Sequence, residues 1–183
     1  MLRSIQMNKY LFCISLFFFF PFDANAHTFA GYEGFYDGIS HPVLGIDHFL
    51  AMISVGIIST QIGGRAIFTI PSTFVLLMLV GGIIAISSQI ITFQKTDFLD
   101  SLVGHNLKII IEIGIILSVI ILGLAIVLEK NLSVNVIIFF VGIFGLFHGS
   151  AHGLEMPFAA NPFLFALGFS SGTIILHLFG VTL

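Results

Sequence analysis

Five long apolar stretches, separated by short polar turns, make up most of this sequence after residue 41. They run from about 42 to 62, 66 to 90, 107 to 128, 134 to 154 and 163 to 183. Each is close to the roughly 20 residues that a helix needs to cross the hydrocarbon core of a bilayer. Because a helix satisfies its own backbone hydrogen bonds in lipid, we predict that each stretch is a membrane-spanning helix.

The amino-acid composition is typical of an integral membrane protein. Charged residues make up 8% of the 183 residues, and hydrophobic residues make up 57%. A soluble domain carries about 25% charged residues, so a cytosolic enzyme and a disordered tail are both excluded. The formal net charge of −3 provides no basic surface, and no nucleic-acid partner is expected. We therefore predict an all-α integral membrane helix bundle in contact with the lipid bilayer, which leaves open whether it forms a homo-oligomer.

Residues 1–26 have the features of a signal peptide. Two basic residues precede an apolar run of 11 residues at 10–20, which is too short to span a membrane. An A-x-A sequence ending at Ala26 then provides a cleavage site. We predict that cleavage leaves 27–183 as a single transmembrane domain with its N-terminus outside the cytoplasm. The alternative is a short first membrane helix that is retained. Cys13, the single cysteine, lies in this segment, which excludes a disulfide framework.

The segment that follows the cleavage site, residues 27–40, is rich in glycine and aromatic residues and shows no strong periodicity. We expect it to form a short extracytoplasmic arm, with Pro42 in the first turn of the first membrane helix. The polar residues 92–106 are expected to form a loop between the second and third helices. Five helices would place the C-terminus in the cytoplasm.

Most of the ionisable side chains within the apolar stretches or at their ends belong to the first and fourth stretches. They are His41, Asp47, His48, His148, His152 and Glu155. Ionisable groups inside a bilayer are costly and usually mark a functional site. In the fourth stretch these side chains are four and three residues apart, so they share one helix face. In the first stretch the two histidines are seven apart and are expected to share a face as well.

These two groups are predicted to meet at one depth of the membrane. The first stretch begins outside the cytoplasm and the fourth ends there, so both groups lie near the outer surface. Imidazole and carboxylate together form a ligand set for nickel, cobalt, zinc or copper. The absence of thiolates suits an ion that must leave again. The alternative is that each histidine is a polar bridge between helices, and the carboxylates could be ligands or could orient an imidazole.

Three further ionisable residues have two interpretations each. Glu112, in the third stretch, could complete the metal site or relay a proton, or it could be a solvated acid near Lys108. His177, deep in the last stretch, could mark the inner exit of an ion path or could be a packing residue. His27 would combine an imidazole with the free amino terminus, as a chelate or as part of a mobile arm.

Glycines repeat every four residues in the last two stretches, at Gly145, Gly149, Gly153, Gly168 and Gly172. Such ridges allow close approach of membrane helices, and we predict that packing is their role. The sequence 168–172 also matches G-x-S-x-G, in which Ser170 would be the nucleophile of a hydrolase. That motif requires a turn from a strand into a helix, whereas Ser170 is predicted to lie in the middle of a helix.

The two ionisable groups resemble the signature of the HupE/UreJ family of nickel permeases. The first motif, H-P-x-x-G-x-D-H, matches His41 to His48, and the second, F-H-G-x-A-H-G-x-E, matches Phe147 to Glu155. The resemblance extends over essentially all of 27–183. It implies a further apolar segment beyond the last one, whereas this sequence ends at Leu183.

This resemblance implies secondary, ATP-independent import of Ni²⁺, or alternatively Co²⁺, across a bacterial inner membrane for hydrogenase or urease maturation. The motif positions imply these metal-site residues: His41, Asp47, His48, His148, His152 and Glu155, with Glu112 as a less secure match. It implies no catalytic residue and no permanently bound cofactor, and no phosphate-binding G-x-x-x-x-G-K-[ST] motif is present. The alternatives are a membrane metal sensor or metallochaperone, or an intramembrane hydrolase.

Overall fold

A computed structural model describes residues 34–92, 98–128, 133–155 and 161–183. The described elements are six helices: α1 Phe35–Leu44, α2 Ile46–Ile62, α3 Ala66–Thr92, α4 Phe98–Leu128, α5 Val134–Glu155 and α6 Pro162–Thr182. The predicted signal peptide, its cleavage after Ala26 and the role of His27 lie outside the described residues.

Within the described residues, four helices are long and apolar enough to cross a bilayer. Their candidate spans are Ala66–Ser88, His105–Val127, Val134–Leu154 and Pro162–Thr182. The pair α1 and α2 passes the same test together, although the two helices are bent by 81° relative to each other. The prediction of an all-α membrane helix bundle is confirmed, and three of the predicted stretches agree closely with α3, α5 and α6.

The prediction that the first stretch is one continuous helix beginning near Pro42 is wrong. α1 begins at Phe35, inside the predicted arm, and Pro42 lies within it. The break comes at Gly45, which has extended backbone angles (φ −76°, ψ 109°) and separates α1 from α2. A Cβ atom at this position would lie 3.2 Å from Nδ1 of His48, so the absence of a side chain lets the chain turn closely against that imidazole.

The predicted loop at 92–106 is also largely wrong, because α4 begins at Phe98. Residues 98–106 contain polar groups and one glycine but no proline, so no residue there breaks a helix by itself. Polarity alone was therefore a poor guide to where this helix begins.

The glycines of α5 lie directly against the backbone of α3. A methyl group at Gly145 or Gly149 would overlap the backbone of Phe74 or Met78, and one at Gly153 would overlap Gly82. The predicted packing role of this glycine ridge is confirmed. Because the paired positions increase together along both helices, α3 and α5 run in the same direction, as two spans separated by one intervening crossing must.

α6 packs in the same close manner along both α1 and α2. A side chain at Gly168 would overlap Phe35, one at Gly172 would meet Ile39, and one at Gly180 would overlap Ile53. The bent pair therefore advances along α6 from its beginning towards its end. A re-entrant loop would return to the side from which it started, so this path favours a single broken span, which gives five crossings within the described residues.

The interior between these helices is apolar apart from a few polar side chains. Its buried residues include Met52 and Val55 of α2, Phe74 of α3 and Phe169 of α6. Among the residues whose side chains are described, the buried polar ones are His48, Ser54, Ser59, Ser118, His148, His152, Thr173 and His177. Many large apolar side chains face outwards, as expected for a surface in contact with lipid.

Candidate metal site

Four imidazoles from three helices meet in the interior and are called the histidine cluster below: His41 of α1, His48 of α2, and His148 and His152 of α5. The ring centroids of His48 and His148 are 4.9 Å apart, and those of His48 and His152 are 4.6 Å apart. The centroid of His41 is 4.6 Å from that of His152 and 5.8 Å from that of His48. The structure thus brings together all four histidines of the two sequence motifs.

The way in which His41 and His48 approach each other differs from the prediction. They were expected to share one face of a continuous helix, but the 81° bend lies between them. The turn at Gly45 brings the end of α1 back towards the beginning of α2, and this places both imidazoles at the break. His148 and His152 are one turn apart on α5, as predicted, and their face is directed inwards.

Asp47 holds the ring of His48 in one orientation. Its Oδ1 atom lies 2.7 Å from Nδ1 of His48 and also accepts a hydrogen bond from the backbone N–H of His48 at 2.8 Å. The carboxylate is an acceptor, so Nδ1 of His48 carries the proton and Nε2 carries the lone pair. That Nε2 atom is buried and has no hydrogen-bond partner among the described residues.

In His148, as in His48, Nδ1 is hydrogen-bonded and Nε2 is not. Its Nδ1 lies 2.9 Å from the carbonyl oxygen of Phe144, one turn earlier on α5. A carbonyl oxygen can only accept, so Nδ1 donates and Nε2 bears the lone pair. The side chain is completely buried, and in the described part of the chain its Nε2 has no partner. Two imidazoles in contact thus each present a buried, unused lone pair.

Aromatic rings enclose the cluster. The ring of Phe169 lies 3.9 Å from His152 and 6.3 Å from His41, and the ring of Phe74 lies 5.3 Å from His148, all measured between centroids. These phenylalanines were not predicted as site residues. Among 22 phenylalanines in an apolar chain, nothing in the sequence distinguishes the few that line a site from those that face lipid.

Two predicted site residues are not placed in the cluster. Glu112 is exposed on α4, whose neighbouring positions Ile111 and Ile115 face the interior instead. Only the backbone of Glu155 is described, so its side chain lies outside the described residues. Among the residues that are described, no three His, Cys, Asp or Glu side chains are arranged to hold a metal ion as they stand, because the imidazoles meet edge to face.

A cavity of about 230 Å³ lies beside the cluster, between α3, α5 and α6. Its lining is almost entirely apolar, with His152 and Ser170 as exceptions. Ser170 lies within the uninterrupted helix α6 and not at a turn from a strand into a helix, where the nucleophile of a G-x-S-x-G hydrolase is found.

The helices and the cluster together define a multi-pass membrane protein in which three buried histidines and the half-buried His41 meet at a broken helix. The chain belongs to the HupE / UreJ protein family, which it matches over residues 15–183. It is 34% identical over 163 residues to Protein HupE of Rhizobium leguminosarum bv. viciae, a match that covers 89% of this chain and 76% of that protein. The resemblance inferred from the two motifs is confirmed. No solved structure matches the chain.

Proposed function

We propose that this protein is a secondary, ATP-independent importer of Ni²⁺, or alternatively Co²⁺, in a bacterial inner membrane, and that the ion binds at the histidine cluster. The observation that carries this proposal is the pair of buried Nε2 lone pairs on His48 and His148. A buried polar atom without a partner costs about 1–3 kcal/mol, and a bound cation would supply that partner. Neutral imidazole is also the ligand form that borderline divalent metals prefer.

The proposed site consists of the four ligands of the histidine cluster and one neighbouring residue that positions a ligand. His41, His48, His148 and His152 are the proposed ligands, and Asp47 fixes the orientation and the tautomer of His48. Because the rings now meet edge to face, binding requires rotation of imidazoles so that their nitrogen atoms converge. Glu155 stays a predicted ligand. Glu112 is not assigned to the cluster, because it is exposed on α4.

The broken helix supports transport over permanent binding. Transporters typically form their ion sites from discontinuous helices, whose free backbone ends can contribute to the site. Here the break at Gly45 falls between two proposed ligands, His41 and His48. The donor set contains nitrogen and oxygen but no thiolate, which allows the ion to be released.

The driving force need not come from a nucleotide. A membrane potential favours entry of a cation by about 2.3 kcal/mol per charge per 100 mV. With the mature N-terminus outside, the cluster lies in the outer half of the membrane and takes up the ion there. A metal sensor or metallochaperone would bind metal at the same residues without flux, so saturable uptake into sealed vesicles separates the importer from these alternatives.

The proposal is tested by nickel accumulation in cells that contain equal amounts of each variant. We expect His48→Ala and His152→Ala each to reduce uptake severely, and the double variant to be little worse than either one. Residues that bind one ion act as a unit, so their effects are not additive. Normal transport by both single variants would show that the histidines are structural.

Two control variants accompany this experiment. His105→Ala removes an exposed imidazole of α4, and we expect it to transport normally. Ser170→Ala keeps the close packing of the neighbouring glycine ridge and should also transport normally. If Ser170→Ala instead abolished nickel accumulation at a normal protein level, the hydrolase alternative would gain support over the importer.

A further inference from the structure

A fifth imidazole, that of His177 on α6, is buried outside the histidine cluster. It is 2% exposed, and neither of its ring nitrogens has a hydrogen-bond partner within the described ranges. Its centroid is 5.2 Å from that of Phe74, and the same phenyl ring lies 5.3 Å from the ring of His148. A single phenyl ring therefore links His177 to the cluster.

His177 lies deeper in the membrane than the cluster. It is 15 residues after the first residue of α6, which corresponds to about 22 Å along the helix axis. His148 is seven residues before the end of α5, or about 10 Å. The end of α5 and the beginning of α6 are on the same side of the membrane, because one short connection joins them. His177 is thus displaced towards the opposite side.

Other donor atoms accompany His177 along the same interface. Thr173 is one turn earlier on the same face of α6 and is completely buried. Its hydroxyl Oγ1 lies 3.8 Å from Sδ of Met78, which is one turn after Phe74 on α3. An imidazole, a hydroxyl and a thioether are therefore close to one another in an otherwise apolar interior.

Packing alone gives a poor account of His177. Buried polar side chains are normally hydrogen-bonded, and an apolar side chain would fill the same space without leaving two ring nitrogens unsatisfied. The backbone at His177 is already fixed by its close approach to Gly56 of α2, so the imidazole is not needed to hold the two helices together.

We propose that His177 is a second, inner binding position for the transported ion, separated from the histidine cluster by the ring of Phe74. This inference rests on the proposed transport function. Conduction requires sites that bind well enough to admit an ion and weakly enough to release it, and two adjacent positions meet this need. The ion passes from His148 to His177 when the Phe74 ring turns aside, and the face of that ring attracts a passing cation.

The binding position is tested directly by exchanging the ligand. In the full chain carrying Cys13→Ser, the variant His177→Cys should bind Co²⁺ with a thiolate-to-cobalt charge-transfer absorption band. The matched control is Ser118→Cys, which places a thiol at a buried position of α4 whose hydroxyl now bonds to Ile115. A charge-transfer band that saturates with Co²⁺ in His177→Cys but is absent in Ser118→Cys supports the proposal. The absence of this band in folded His177→Cys overturns it.

Transport gives the second test, in proteoliposomes containing the purified protein. We expect His177→Ala to lose about tenfold or more of the initial Ni²⁺ uptake rate while still binding Ni²⁺ at the cluster. His177→Gln, which keeps a polar side chain of similar size, should fold and show the same loss. Normal uptake by these variants beside an active wild type would overturn only the inner position. An inactive wild type would instead overturn the proposed import.

Discussion

The hydrogen bonds of individual histidines distinguish a metal site from a set of polar bridges between helices. His48 bonds to its chain neighbour Asp47, and His148 bonds to a carbonyl one turn away on its own helix. Neither bond crosses between helices, so neither histidine serves as an interhelical bridge through these contacts. The contact between α2 and α5 at this point is made by the rings of His48 and His148. The Nε2 atom of each ring has no hydrogen-bond partner among the described residues.

The role of Asp47 leads to the first prediction. Asp47→Asn should lower the Ni²⁺ uptake rate by about tenfold, because the amide is a weaker acceptor and holds the ring of His48 less firmly in its orientation. Asp47→Ala should be worse, since nothing then fixes the ring. The matched control is Asp37→Asn, a change at an exposed position of α1. Wild-type uptake by Asp47→Asn at equal protein levels would contradict the positioning role.

Among the helices, the closest approach is made by glycines that leave no room for a side chain. The second sequence motif thus has two faces: His148 and His152 belong to the site, whereas Gly149 and Gly153 hold α5 against α3. Since the histidines and the glycines share one helix, any change that separates α5 from α3 also displaces the proposed ligands.

This coupling leads to a prediction about Gly149. Gly149→Ala should destabilise the protein by about 1–3 kcal/mol, because the new methyl group overlaps the backbone of Met78 and the helices must move apart. Gly123→Ala is the matched control, since nothing lies within 4 Å of a side chain at that position of α4. Thermal unfolding in detergent compares the two, and equal stability of both variants would rule out the close-packing account.

For the molecule as a whole, the path of the chain through the membrane depends on the bent pair α1 and α2. If the pair is one broken span, the part of the chain from 34 to 183 that the structure describes crosses five times, and the turn at Gly64 lies on the opposite side from Tyr36. If it is a re-entrant loop, both lie on the same side. The broken span is favoured because α1 packs on the first half of α6 and α2 packs on its end.

Labelling with a membrane-impermeant maleimide distinguishes these two topologies. In a Cys13→Ser background, Tyr36→Cys should react from outside intact cells, whereas Gly64→Cys and Ser133→Cys should react only after the membrane is opened. All three positions are exposed in the structure. Reaction of Gly64→Cys from the same side as Tyr36→Cys would show that the bent pair is re-entrant.

The sequence by itself determined the class of fold, the four continuous membrane spans, the glycine packing ridges and the family. These features follow from local properties: hydropathy over about 20 residues, the helical repeat and short motifs. The tertiary structure alone decided that the helix breaks at Gly45, that Glu112 faces away from the histidines, and that Phe74 lies against both His148 and His177. Each of these depends on which helix faces pack together, and an apolar residue that faces lipid has the same local sequence signal as one that faces the interior.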